Sequence, residues 1–463
     1  MKNALNRFLY FSLGPIAGAF ISFITVPITT YFVSPDEYGK ASMFIMIQTF
    51  LTVYLYLGFD QAYTRDYHEY TDKKKLIQNA MFVPLLMATL LSITAILFRQ
   101  DLASWIFQDE SLQLPIFLLC ISMFTLIFER FCLLSIRMEE RAKLYSFLTF
   151  LIRVLILCVT ILYILLGDRD FTVVIYGTLI GQIVGDVVIV LLCLPLLNIA
   201  NFTLDKALIR KMWIFGFPIF ITLAIEAVFT ISDRFIIGLR STYTELGLYT
   251  AAFKIASLLK IVQMSFTSFW TPMAYRWHAK KKSIHYFQLA SDAVAGGLSL
   301  LFMMILIFKP VIMLVFTASY QGALSIFPFL CFVPILYTIS ETTALGIVFS
   351  RKTYLNIYVA IGAVITNIGL AWYFVPIYGA RGAALSMGIA YVIYYILRSL
   401  LSNKEWEGIR MTRQLCTVGL LFSAALYNTF FDYYSVVFNV GILICIALLY
   451  ITTFNTLKKL YRN

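Results

Sequence analysis

Apolar blocks about 20 residues long recur along the whole of this chain, and they constrain it more than any other feature. A helix rising 1.5 Å per residue needs about that length to cross a hydrocarbon layer of roughly 30 Å. Fourteen segments can be drawn: 8–33, 41–60, 78–98, 114–136, 144–166, 171–196, 213–239, 246–272, 286–309, 323–350, 354–375, 380–401, 413–430 and 436–457. Within a bilayer each backbone N–H and C=O needs an internal partner, so blocks of this length are expected as helices. Most connections are short, and none is large enough for an extramembrane domain. Of the 463 residues, 61% are hydrophobic and 13% charged. A soluble chain has roughly 45–50% and about 25%. The expected fold class is therefore an all-α polytopic membrane protein with about 14 transmembrane helices.

The net charge of +12 would suggest nucleic acid in a soluble protein, but here the basic residues sit at the ends of apolar blocks. With the N-terminus placed in the cytoplasm, 25 Lys and Arg fall inside, 6 outside and 5 within segments. Arg398 counts among the inside group and Lys309 among the outside group. This is the bias of the positive-inside rule. It predicts both termini in the cytoplasm and no nucleic-acid partner. The first apolar run continues past Ala17-Gly18-Ala19 to Val33, so it reads as an uncleaved first helix.

Seven cysteines lie in or beside apolar blocks with no CxxC pair, which argues against a disulfide framework or a zinc site. His68, His278 and His285 lie in predicted loops and suggest no metal site. There is no Walker loop, kinase signature or nucleophile elbow. No cofactor and no enzymatic activity are expected.

A weak internal repeat divides the chain. Pro27, then Thr29 to Gly39 with Ser34-Pro35-Asp36-Glu37-Tyr38-Gly39, is echoed about 208 residues later by Phe235 to Gly247 with Thr242-Tyr243-Thr244-Glu245-Leu246-Gly247. Tyr176-Gly177-Thr178 is echoed by Tyr378-Gly379-Ala380. Segments 1 and 7 leave the same side of the membrane, so the repeat is parallel, an arrangement of transporters. It predicts two pseudo-symmetric six-helix lobes, 1–200 and 201–403, around a central cavity, with 404–463 added as helices 13 and 14.

Ionisable groups inside a bilayer are costly and usually face a bundle interior or a wet cavity. On segment 7, Thr222, Glu226, Thr230 and Asp233 share one helical face. Arg234 follows directly. Segment 8 carries Lys254 and Lys260. The first half carries Glu129, Arg130, Arg153 and Asp186. As cavity cations, Arg130, Arg153, Lys254 and Lys260 would suit a substrate bearing phosphate. Glu226, Asp233 and Asp186 are the candidate cavity or ion-coupling acids. The bland alternative is a set of paired charges locking helices together, and Arg130 could also snorkel to the interface.

Val26-Pro27-Ile28-Thr29, Ser34 to Gly39, Gly58-Phe59-Asp60-Gln61-Ala62 with Arg65, Ser232-Asp233-Arg234 to Gly238, Gly247 to Lys254, and Pro376 to Ala384 together resemble Wzx-type polysaccharide flippases. The resemblance covers nearly the whole chain, although its motifs are loose. It implies membership of the multidrug/oligosaccharidyl-lipid/polysaccharide exporter superfamily. Pro27, Asp60, Arg65 and Arg234 are then motif or structural positions. The implied substrate is an undecaprenyl-pyrophosphate-linked oligosaccharide, moved from inner to outer leaflet of a bacterial plasma (inner) membrane. Alternating access, with H⁺ or Na⁺ coupling, would serve O-antigen, capsule or exopolysaccharide assembly. Membrane lipids and a polysaccharide polymerase with its chain-length protein are the implied partners. A MATE-like multidrug/cation antiporter and a lipid II flippase stay open as alternatives.

Overall fold

The computed structural model describes residues 2–167, 169–194, 203–431 and 433–462. Among these the regular structure is entirely helical. In chain order the helices are α1 (Lys2–Phe32), α2 (Pro35–Tyr56), α3 (Phe59–Asp66), α4 (Lys73–Leu97), α5 (Arg99–Phe107), α6 (Leu114–Met138), α7 (Ala142–Leu165), α8 (Phe171–Cys193), α9 (Lys206–Arg240) and α10 (Tyr243–Ala256). They continue as α11 (Leu259–Ala279), α12 (Ile284–Ile307), α13 (Lys309–Ile312), α14 (Ala323–Thr343), α15 (Leu345–Phe349), α16 (Leu355–Tyr378), α17 (Ala380–Glu405), α18 (Thr412–Phe430) and α19 (Ser435–Arg462).

Among the described residues each of the fourteen apolar segments is largely helical, and 195–196 of the sixth segment lie outside the described residues. Among the described residues eleven single helices are long and apolar enough to span a membrane, and the bent pair α2–α3 makes a twelfth. The other two segments are α10–α11, interrupted at Ser257–Leu258, and α18, whose polar positions include Gln414, Thr417, Asn428 and Thr429.

The interruptions have local causes. Between α2 and α3, Leu57 and Gly58 are consecutive left-handed residues with φ of 48° and 79°, and the helices turn by 48°. Gly58 also touches the backbone of Gly216 on α9, and a Cβ there would strike the Gly216 carbonyl. Between α10 and α11 the ladder switches to i→i+3 bonds, from Leu258 N to Ile255 O and from Lys260 N to Ser257 O. The Ser257 hydroxyl donates to the Lys254 carbonyl at 2.6 Å, so that carbonyl is served by a side chain. These two interruptions fall in corresponding segments of the internal repeat, the second one about two turns nearer the start of its segment.

The chain forms two compact units, Met1–Ile231 and Ser232–Asn463. In the first, α7 and α8 pack backbone to backbone. Gly177, Gly181 and Gly185 lie along one ridge of α8 against Thr160, Ile156 and Ile152, and a Cβ on Gly181 would stand 2.5 Å from the Ile156 Cα. Small residues four apart are how membrane helices approach this closely. Gly14 and Gly18 of α1 do the same against Ser146 and the stem of Arg153. In the second unit α14 is the core helix: 83% of its apolar stretch is buried, against 22% for α16. On α18 and α19, Asn428 and Asn439 exchange amide bonds of 2.7 and 3.1 Å. The buried Lys309, counted above with the outer loops, donates to the Asn428 carbonyl at 3.2 Å.

The internal repeat is visible in the contacts. Ser34 caps α2 by accepting from Glu37 N, and Thr242 caps α10 by accepting from Glu245 N. In the usual capping box the glutamate folds back onto its own N-cap. Here each reaches another helix: Glu37 Oε2 accepts from Phe171 N at 3.0 Å at the start of α8, and Glu245 Oε2 accepts from Ala380 N at 2.8 Å at the start of α17. A carboxylate there is favoured by the helix dipole and by the unpaired N–H groups of the first turn.

Candidate functional site

The charged groups of the first unit fall into two kinds. Asp60, the second residue after the α2–α3 break, is buried and accepts from Arg130 Nη2 at 2.7 Å across a separation of 70 residues. The same guanidinium lies 5.7 Å from the Tyr56 ring. Arg65 is likewise engaged: it bonds Asp66 at 2.6 and 2.9 Å and stacks on Phe215 at 3.9 Å. Lys211 stands 3.5 Å from Asp66 and 3.2 Å from Glu69, so this cluster ties α3 to the start of α9. Asp186 is fully buried and takes its bonds from neutral donors, Thr125 and Gln182, both at 2.7 Å.

Arg153 differs from all of these. It stands about 16 Å along α7 from Ala142, near the helix midpoint. It is exposed on the unit, and among the described residues its guanidinium has no hydrogen bond or ion pair. Its stem rests on Gly18 and its electrostatic neighbour is Glu129. Two turns further along α7, Thr160 is buried and donates to the Ile156 carbonyl.

On α9, Glu226 is exposed, with no side-chain partner among the described residues, while Thr230 donates to its carbonyl at 2.9 Å. Pro27 lies within α1, where the hydroxyls of Thr29 and Thr30 both donate to the Val26 carbonyl at 2.9 Å.

In the second unit Asp233 is buried. It accepts from Tyr249 Oη at 2.8 Å and from Asn367 Nδ2 at 2.7 Å. Asn367 also reaches Ser232 Oγ at 3.1 Å, and its own Oδ1 is buried with no hydrogen-bond partner among the described residues. The cluster is made of neutral donors and oxygen acceptors around one carboxylate. Lys254 and Lys260 stand on either side of the α10–α11 break. Phe253 lies under two cations, 4.2 Å from Arg234 and 5.8 Å from Lys260. A broken span lined by charge is a recurrent way to build a substrate site in transporters.

Arg398 was counted above with the cytoplasmic cations. It is buried within α17, 8% exposed, about 27 Å along the helix from Ala380. Its Nη1 donates to Glu341 Oε1 at 2.7 Å and to Ser340 Oγ at 2.8 Å. Position in the sequence hid this pair, because Arg398 lies only a turn and a half before Lys404 at the end of an apolar block. Glu341 adjoins the α14–α15 break at Ala344, and its carbonyl is taken by Trp270 Nε1 at 3.3 Å. Among the described residues no three His, Cys, Asp or Glu gather as a metal-holding set.

Three solved structures share this fold. A lipid II flippase MurJ in an inward closed conformation is 16% identical over 96% of this chain and 98% of its own, with a TM-score of 0.73. An inward-facing multidrug resistance MATE family transporter of the MOP superfamily is 14% identical over 86% and 97%, with a TM-score of 0.66. An outward-facing structure of such a transporter is 15% identical over 86% and 94%, at 0.54. No curated protein matches the sequence. Residues 4–278 match the family model described as polysaccharide biosynthesis protein, which takes in Asp60, Arg130, Arg153 and the Asp233-to-Lys260 stretch. The chain is a multi-pass membrane protein that belongs to the polysaccharide biosynthesis protein family.

Proposed function

We propose that this protein carries undecaprenyl-pyrophosphate-linked oligosaccharide units from the cytoplasmic to the outer leaflet of a bacterial inner membrane, for surface polysaccharide assembly. The observation that carries the reading is Arg153, a mid-helix guanidinium with no hydrogen-bonded partner among the described residues. Leaving such a group unpaired in a membrane is expensive, so its retention argues for a ligand that completes it. A pyrophosphate is the chemistry a guanidinium fork fits. Lys254 and Lys260, flanking the α10–α11 break of the second unit, supply further cations. In this reading two six-helix halves, 1–200 and 201–403, rock about the headgroup while the lipid tail stays in the bilayer. Residues 404–463 are an addition. Both termini are cytoplasmic.

Replacing Arg153 or Lys254 with Ala should abolish surface polysaccharide while the protein still accumulates in the membrane. Normal export in both variants would refute the cationic-site reading. Reconstituted vesicles loaded with either an oligosaccharide-linked or a peptidoglycan-type lipid pyrophosphate separate this substrate from lipid II.

A second reading is favoured by one observation. Asp233 is buried without a hydrogen-bonded cation and sits beside the unpaired Asn367 Oδ1. This oxygen-rich cluster suits a proton or Na⁺, as coupling ion for the flippase or as the driving ion of a MATE-like antiporter. Drug-sensitivity profiles of a deletion strain separate the two. Polysaccharide loss with unchanged drug sensitivity supports the flippase.

A further inference from the structure

The second unit holds a small cleft of ≈ 30 Å³ beside the α14–α15 break, which none of the residues discussed as transport cations lines. Arg398 and Glu341 form its polar wall, with Thr271 and Tyr275 of α11 and Phe349 of α15 around them. The space admits a small polar group, not a whole headgroup.

The guanidinium in this wall is only half used. Among the described residues both hydrogen bonds of Arg398 leave from Nη1, to Glu341 and Ser340. Its Nε is buried with no partner. A guanidinium has two forks, and the side-on one is formed by Nε–H and Nη2–H. That fork stays open here, on a side chain more than nine-tenths buried. The rings of Tyr337 and Tyr394, 5.5 and 5.6 Å away, hold the group in place without using its N–H donors. The N–H donors of a buried arginine normally all find acceptors, so an open fork beside a cleft points to an acceptor arriving from outside.

We propose that this cleft is an oxyanion subsite, with Arg398 offering its Nε–Nη2 edge to a phosphoryl or carboxylate group. The subsite extends the flippase reading by giving the sugar-pyrophosphate head a second contact, near the end of α17 that carries Lys404. Tyr275, 48% exposed, stands at the cleft to cover a sugar ring. Glu341 acts as a resident competitor: its carboxylate occupies the other fork and repels an incoming anion. The oxyanion has two sources, the carrier pyrophosphate or an acidic sugar.

The test uses the full-length protein in nanodiscs of neutral lipid, in an Arg153→Ala/Lys254→Ala/Lys260→Ala background so that these transport cations do not contribute. Inorganic pyrophosphate, glucuronate and glucose are titrated by calorimetry. Pyrophosphate or glucuronate should bind, and glucose should not. The stronger anion identifies the source. Glu341→Gln should tighten anion binding several-fold, and Arg398→Lys should weaken it at least tenfold while leaving a charge in place. Anion binding that is unchanged in Arg398→Lys, or weakened in Glu341→Gln, overturns the proposal, as does equal binding of glucose. If Arg398→Lys does not fold, Glu341→Gln decides alone. Because the readout is binding and not export, normal export by Arg153→Ala and Lys254→Ala would sink the cationic-site reading and leave this result standing.

Discussion

The Asp60–Arg130 pair separates a structural cation from a substrate cation, and its strength can be worked from its exposure. Asp60 retains 5% of its side-chain accessibility and Arg130 40%. Exposed pairs contribute about 0.2–1 kcal/mol. Removing one member of a fully buried pair costs about 3–5 kcal/mol, mostly because a charge is stranded. Here only the carboxylate is enclosed, so Arg130→Ala should cost about 2 kcal/mol. For a unit the size of Met1–Ile231 that lowers the melting midpoint by about 4–8 °C. Asp60→Asn removes the stranded charge, so Asp60→Asn/Arg130→Ala should recover more than half of the loss. The assay is thermal unfolding of detergent-purified protein, followed by size-exclusion chromatography of what stays soluble. Strictly additive losses in the double variant would refute the reasoning, because they mean the two groups are not coupled. A double variant that folds but exports no polysaccharide would show that Arg130 also meets substrate.

Three other substitutions test other parts of the architecture. Gly181→Val places methyl groups where the Ile156 backbone lies, so α7 and α8 must separate; overpacking of about 1–3 kcal/mol or more should appear as reduced accumulation and a lower melting midpoint. Glu245→Ala leaves the Ala380 amide at the start of α17 without its carboxylate, a loss of about 1 kcal/mol, and hydrogen exchange should speed up in the first turn of that helix. Asp205 takes hydrogen bonds from Lys75 Nζ and from the amides of Leu208 and Ala207, which hold its carboxyl below its ordinary range. Its contribution is therefore complete above the ordinary titration near pH 3.9 and disappears only as pH falls through the lowered value. Asp205→Asn should speed exchange around Leu208 at pH 7, and a flat response there would sink the assignment.

The helices were legible because length and apolarity alone decide them: a block of 20 apolar residues between basic ends has one fold available in a bilayer. The breaks inside segments 2 and 8 were not. A hydropathy window averages over Leu57-Gly58 and Ser257-Leu258, and what breaks the helix is left-handed backbone in one case and a hydroxyl serving a carbonyl in the other. Charge placement in depth was legible for Arg153, which stands in the middle of its segment. It did not reveal the burial of Arg398, where six residues of sequence separate a buried guanidinium from the helix-end Lys404. The partner of Arg130 was unreadable, because Asp60 is 70 residues away and nothing in local spacing joins them. The Thr125 bond of Asp186 was equally invisible, since it crosses 61 residues, whereas its Gln182 bond is an i,i+4 pair within α8.

The glutamates that open α2 and α10 bear on how such chains diverge. Each spends its carboxylate on a main-chain N–H, at Phe171 and at Ala380. Those two receivers share no side-chain character, and none is required of them. What the contact forbids at either position is proline, which has no amide hydrogen. Selection therefore acts visibly on the sender and almost silently on the receiver. Covariation between homologues is a poor reporter of such a contact, because a side chain that has to be a carboxylate, paired with a residue free to be nearly anything, carries little mutual information. Two of the ties that define the repeat would stay dark to any method that reads structure from correlated substitutions.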